Sequence, residues 1–231
     1  MWKNDKLNGK GTYYFNNGYT YVGEFKDDII SGKGVMYYDN GDYYVGTWAK
    51  DLKNGFGILY NKKHEIIFKG EFKNGKMHGN GQYFYGAGEY YEGAWRKDVK
   101  SGYGAKFFKN GTRYEGEFSN DLANGKGNFF SKNNNALYKG NWKNGKRNGL
   151  GKLFSEENDK SVLKYDGDFV DNQKHGIGKE FLGKVEYYTG SFKNDLKHGK
   201  GVYVYENKMR HEGNFALGVQ NGYGKLFNFK K

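Results

Sequence analysis

A chain of 231 residues with 38 glycines, no proline, no cysteine and aromatics at 19% holds little aliphatic material, so rings must provide most of its buried apolar surface. The lack of cysteine excludes disulfides, thiolate nucleophiles and cysteine-bound zinc, and suits a reducing, cytoplasmic compartment. Its 38 Lys/Arg against 26 Asp/Glu leave a formal charge of +12, which favours an anionic partner, and neither a long apolar run nor a signal-peptide pattern is present.

Along the chain one pattern recurs. It opens truncated, with Trp2 followed by Gly9 and Gly11, and then starts again at Tyr21, Tyr44, Phe68, Tyr91, Tyr114, Tyr138, Tyr165, Tyr188 and His211. Counting each start as position 0, an aromatic stands at +4 and glycines stand at +2, +11 and +13. A repeat that fills residues 1–231 decides the architecture before any site is considered.

The first stretch of each repeat, such as Tyr21–Phe25, and the stretch after Gly-x-Gly, such as Val35–Tyr38, are rich in Tyr, Phe and Val and predict strands. Between them, position +7 is Asp28, Asp51, Gly75, Asp98, Asp121, Gly145, Asn172, Asp195 or Gly218, all residues that suit a hairpin turn. The second turn is less uniform, with hairpin signals at Asp39-Asn40-Gly41 and Lys109-Asn110-Gly111. Its longest version, Ser155 to Lys164, is polar and predicts a surface loop.

The fold class expected is all-β: an elongated, twisted, single antiparallel sheet, a meander of about ten hairpins with essentially no helix. It forms one array over 1–231, with repeats starting near 1, 21, 44, 68, 91, 114, 138, 165, 188 and 211. A first turn centred near +8 would set position 0 opposite +16, the set that includes Tyr37, Tyr60, Phe84 and Phe107, and gather both ring sets on one face.

The unit Tyr-x-Gly-x-Trp/Phe-x-x-Asp/Gly/Asn-x-x-x-Gly-x-Gly resembles the MORN (membrane occupation and recognition nexus) repeat. Tyr114-Glu-Gly-Glu-Phe118 and Asn194 to Gly201 carry the resemblance most closely, and it spans the whole chain. Phe68 and His211 depart from the first Tyr, and Val204 from a second-strand aromatic. The resemblance implies hairpin arrays that act as scaffolds in cilia, parasite cytoskeletal complexes and membrane junctions, or that accompany a lipid kinase or methyltransferase domain. It also implies anionic-lipid binding in some members.

The charge is localised. Positions +5 to +12 of the ten repeats hold 20 Lys/Arg and 8 Asp, and the rest of the chain balances at 18 against 18. A basic turn edge is therefore expected at Lys50, Lys53, Lys73, Lys76, Arg96, Lys97, Lys100, Lys143, Lys146 and Arg147. An acidic protein or an anionic membrane would suit it, nucleic acid less so because no reading module is present. Lysines at hairpin tips also keep a long aromatic sheet from aggregating.

A single-layer sheet cannot bury both faces. An exposed aromatic face for a protein partner is therefore expected at Tyr44, Trp48, Tyr91, Trp95, Tyr114, Tyr138, Trp142 and Tyr165. Open terminal strands predict a homo-oligomer formed through a sheet edge. His78, His175 and His198 share position +10 and read as turn residues, and His64 as a solvated one, so no metal is expected. Glu24, Glu71, Glu117 and Asp168 recur at +3 and read as solvated decoration, not a catalytic pair. Neither catalytic residues nor a cofactor are expected. The expected role is a non-enzymatic scaffold in a cytoskeletal or ciliary assembly, against a peripheral membrane adaptor or the regulatory part of a larger enzyme.

Overall fold

Each hairpin follows from its turn residues. The computed structural model describes residues 2–228, with the ring of Trp2 outside the described side chains. It falls into two compact parts, residues 1–109 with 118–121 and residues 110–117 with 122–231. In the first part, strands Gly9–Tyr14, Thr20–Lys26, Ile29–Tyr37, Tyr43–Ala49, Leu52–Tyr60, Ile66–Lys73, Lys76–Gly86, Glu89–Arg96 and Val99–Phe107 each pair antiparallel with the next. The second part repeats this from Leu122–Phe130 through Ala136–Lys143 to Arg210–Ala216 and Val219–Phe227. No helix occurs among the described residues, and the fold is the expected all-β, open antiparallel meander.

The first turn of each repeat is a two-residue turn with both residues left-handed, as at Lys50 (φ 52) with Asp51 (φ 63) and Asn74 (φ 52) with Gly75 (φ 81). This is the mirror-image turn whose twist matches a hairpin. The aspartate also ties neighbouring turns together. Asp51 Oδ1 accepts the Ile30 N–H at 2.7 Å, and the Asp51 N–H donates to the Ile30 carbonyl at 3.1 Å. Asp98 serves Met77 in the same way, and Asp195 serves Lys174.

Past the turn, Gly55 at +11 adopts φ 87, and the pairing slips by two residues between Gly46 and Trp48, where Thr47 alone stands against Asn54, Gly55 and Phe56. The glycines at +2 and +13 then face each other, as Gly46 faces Gly57, and Tyr44 lies opposite Leu59. The expected pairing of position 0 with +16 is therefore corrected. Tyr60 lies opposite Tyr43, so the +16 rings belong to the other face of the sheet. There they stack with the rings at −1, Tyr43 on Tyr60 at 4.7 Å and Tyr90 on Phe107 at 4.3 Å.

The expected loop from Ser155 to Lys164 is also corrected. Strands Lys146–Glu157 and Lys160–Val170 run on to a two-residue turn at Asn158 and Asp159, both left-handed, with Ser155 opposite Val162. Asn-Asp supplies the same turn chemistry as the shorter hairpins, so the added residues lengthen strands.

The core is made by the first face. The Tyr44 ring lies back along its strand over the Gly46–Gly57 pair, and its hydroxyl donates to the Thr47 carbonyl at 3.2 Å. Tyr21, Tyr91, Tyr138, Tyr165 and Tyr188 do the same at their own +3 carbonyls, at 3.0 to 3.2 Å. Each ring then meets the +4 ring of its own repeat and of the next, edge to face. Tyr44 contacts Trp48 at 5.2 Å and Phe72 at 5.0 Å, and Tyr165 contacts Phe169 and Phe192 at 5.1 Å each. Edge-to-face pairs contribute about 0.5–1.5 kcal/mol each beyond burial.

Phe68 holds the same place without a hydroxyl, its ring over Gly70 and Gly81. Phe68→Tyr is expected to supply the missing donor to the carbonyl of Glu71 and raise stability by about 1 kcal/mol, read as a higher guanidinium midpoint with unchanged slope.

Candidate functional site

Alternation along the strands sorts the candidate residues. Tyr44 (0% exposed), Trp48 (6%), Tyr91, Trp95, Tyr114, Tyr138 and Tyr165 are buried and Trp142 is half-buried. The expectation of an exposed aromatic face is corrected: these rings cover one another and are covered in turn by side chains from position +9. Tyr44 meets Trp48 and Tyr91 meets Trp95, while Tyr114 and Tyr138 both meet Trp142. The indoles are fixed by hydrogen bonds to the +13 glycine of the preceding repeat, Trp95 Nε1 to the Gly81 carbonyl at 3.1 Å and Trp142 Nε1 to that of Gly127 at 3.0 Å.

The ten expected edge cations divide by position. Lys50, Lys73, Lys76, Arg96, Lys97, Lys143 and Lys146 are exposed at the turns. Lys53, Lys100 and Arg147 stand at +9 and lie over the rings instead, which corrects their place on the outer edge. Lys53 Nζ sits 5.5 Å from the Tyr44 ring and 5.2 Å from Phe72, and Arg147 lies over Tyr138 and Phe169. Burial lowers the affinity of Lys53, Lys100 and Arg147 for their protons. The same burial raises the phenol pKa of Tyr21 and Tyr138 to about 12 and pushes Tyr44 up as well.

Sequence spacing missed two members of this inner row. Lys174 lies over Tyr165 and Phe192, and Lys197 lies over Tyr188 and Tyr203, with Glu180 paired to both lysines. Their shared +9 position was the available signal. In contrast, the carboxylates at the turns are engaged by backbone amides, and the contacts between tip ions are long and exposed, as for Lys76 with Asp98 at 4.0 Å. Such pairs contribute little.

The +3 carboxylates, expected as solvated decoration, have a structural task. Glu71 accepts the Asn80 N–H and Asp168 the Ile177 N–H, both at 3.1 Å, where the slipped pairing leaves an amide without a strand partner. Among the described residues no cluster of three or more His, Cys, Asp or Glu is arranged to hold a metal ion, and no helix is long and apolar enough to cross a membrane.

Comparison with known families gives one result. The model of the MORN repeat matches ten times, over residues 1–18, 21–43, 44–63, 68–90, 91–113, 114–136, 138–159, 165–181, 188–210 and 211–227. No curated protein matches the chain.

Proposed function

This chain belongs to the MORN repeat family, a non-catalytic type of repeat scaffold that serves protein or membrane interaction, and from that premise we propose that it is a non-enzymatic scaffold that docks an acidic protein segment along its exposed turn cations. The segment belongs in this reading to a cytoplasmic cytoskeletal or ciliary assembly, an extension made by analogy with the family. One observation carries the choice of edge. Seven of the ten expected cations project at the turns, whereas the carboxylates of Asp51, Asp98 and Asp121 between them are held by neighbouring amides. Successive turns in each part stand about 10 Å apart, two strands per repeat, so an acidic chain lying along the first part meets Lys50, then Lys73 and Lys76, then Arg96 and Lys97 at three consecutive steps.

Replacing Lys50, Lys73, Lys76, Arg96, Lys97, Lys143 and Lys146 by Gln removes seven positive charges. An acidic peptide that binds the native chain at low salt is expected to lose at least tenfold in affinity in this variant, while Lys53→Met leaves it bound. Failure of the native chain to bind acidic peptides, with binding to phosphoinositide vesicles that the same seven substitutions abolish, would replace this reading with a peripheral membrane adaptor.

A further inference from the structure

The face turned away from the core is not uniform, and its first three repeats differ from all others. Cross-strand neighbours on this face form a row through five successive strands: Thr12 faces Val22, then Val35, Val45 and Ile58. Val22 is 43% exposed and Val45 is 38% exposed, and Phe56 beside them is 52% exposed. The fold does not require apolar residues here. The row continues as Lys69, Gln82 and Glu92, and in the second part the corresponding positions include Lys139, Lys152, Asp166 and Lys179. Isolated exposed valines would need no explanation, but an unbroken β-branched row bordered by the stacked Tyr43 and Tyr60 is a surface.

We propose that this outer face of the first three repeats binds the same face of a second copy, sheet on sheet. Three observations select that occupant. The first is shape: a β-branched row on an open sheet face interdigitates with another sheet face about 10 Å away, and two identical rows related by a two-fold axis are self-complementary. The second is charge. Two chains of +12 repel each other, so a self-contact needs a rim of low net charge. Here three lysines, Lys10, Lys33 and Lys69, stand with two glutamates, Glu24 directly opposite Lys10 and Glu71 on the strand of Lys69, a local net of one positive charge. An acidic partner is drawn instead to the turns. The third is area. Five strands and three rows of side chains cover about 500 Å² per copy, hence about 1,000 Å² in all, which is the lower limit for a specific interface and implies micromolar affinity.

Sedimentation velocity of the full chain from ~1 to ~200 μM tests this. The native chain is expected to pass from monomer to dimer with concentration, and to dimerise as well or better at about 0.5 M salt, where ionic contacts are screened. Val45→Lys is expected to remain monomeric throughout. Val45→Thr, which keeps the branched shape and strand preference, weakens the dimer about tenfold and decides the matter if the lysine variant misfolds. A native chain that stays monomeric, a dimer unaffected by either substitution, or a dimer dissolved by salt would each overturn the proposal. So would Val45-dependent binding to neutral phosphatidylcholine vesicles by a chain that does not dimerise.

Discussion

Gly57→Ala is expected to destabilise the first part of the molecule by about 3 kcal/mol or more, although it adds a single methyl group. A Cβ at this position falls on the Tyr44 ring, which has no room to retreat. Trp48 and Phe72 clamp that ring edge-on from both sides, and Gly46 lies beneath it. Gly55→Ala, two residues earlier, is strained for a different reason, its left-handed φ of 87, and is expected to cost about 1–2 kcal/mol. A double-mutant cycle separates the two causes. Removing the ring with Tyr44→Ala makes space for the methyl at 57, so the Gly57→Ala/Tyr44→Ala double variant should be more stable than the sum of the single effects by at least about 1 kcal/mol. The same ring removal should not rescue Gly55→Ala. Denaturant unfolding of the three single and two double variants gives the result; additivity at position 57 would mean that the ring is not what the methyl strikes.

The second large effect is alkaline unfolding. The phenols of Tyr21, Tyr138 and Tyr188 are raised by burial from 10.0 to about 12, and those of Tyr44, Tyr91 and Tyr165 are raised by the same cause. Folding thus favours the protonated phenol. Below pH 10, where the phenols are protonated in both states, this contribution is present in full. Above it the unfolded chain releases protons that the folded chain retains, so stability falls as pH climbs from 10 towards 12. Because neighbouring phenols share the +4 rings between them, as Tyr21 and Tyr44 share Trp48 and Tyr165 and Tyr188 share Phe192, the loss should be cooperative within each part. Tyrosinate absorbance and the loss of β-sheet circular dichroism are expected to rise together in that window. Separate titration of these phenols with the sheet intact would show that they are open to solvent.

Much of this was legible from residue types alone. Aspartate or glycine at +7 marked the hairpin turn, and the observed φ values at Asp51 and Gly75 agree with that reading. What escaped was the register, by one residue. The turn sits on Lys50 and Asp51, earlier than a centre near +8, and with the two-residue slip at Gly55 it sets Tyr44 against Leu59 and leaves Tyr60 on the opposite face. Alternation is a period of two, so an expected pairing that is one residue out assigns every side chain of the second strand to the wrong face. The same parity separates Lys50 from Lys53: one is exposed at the turn and the other lies over Tyr44. The aromatic face was expected to be open because it lacks a second layer. The long +9 side chains form that layer themselves, with their aliphatic stems on the rings.

The turn aspartates carry one more implication. Each carboxylate is contributed by one repeat and satisfies an amide of the repeat before it, as Asp51 does for Ile30, Asp98 for Met77 and Asp195 for Lys174. Where +7 is glycine the carboxylate is missing, but the N–H of +7 still donates to the +9 carbonyl of the repeat before it, as Gly75 does to Lys53, Gly145 to Ala123 and Gly218 to Lys197, so every junction keeps the same backbone donor and acceptor whatever the flanking side chains. Whole repeats can then be duplicated, deleted or exchanged by recombination with no junction to reinvent, whereas a cut inside a repeat strands an acceptor from its donor. Inheritance in such a gene should proceed in steps of about 23 codons, and the number of docking positions would be the quantity that selection adjusts.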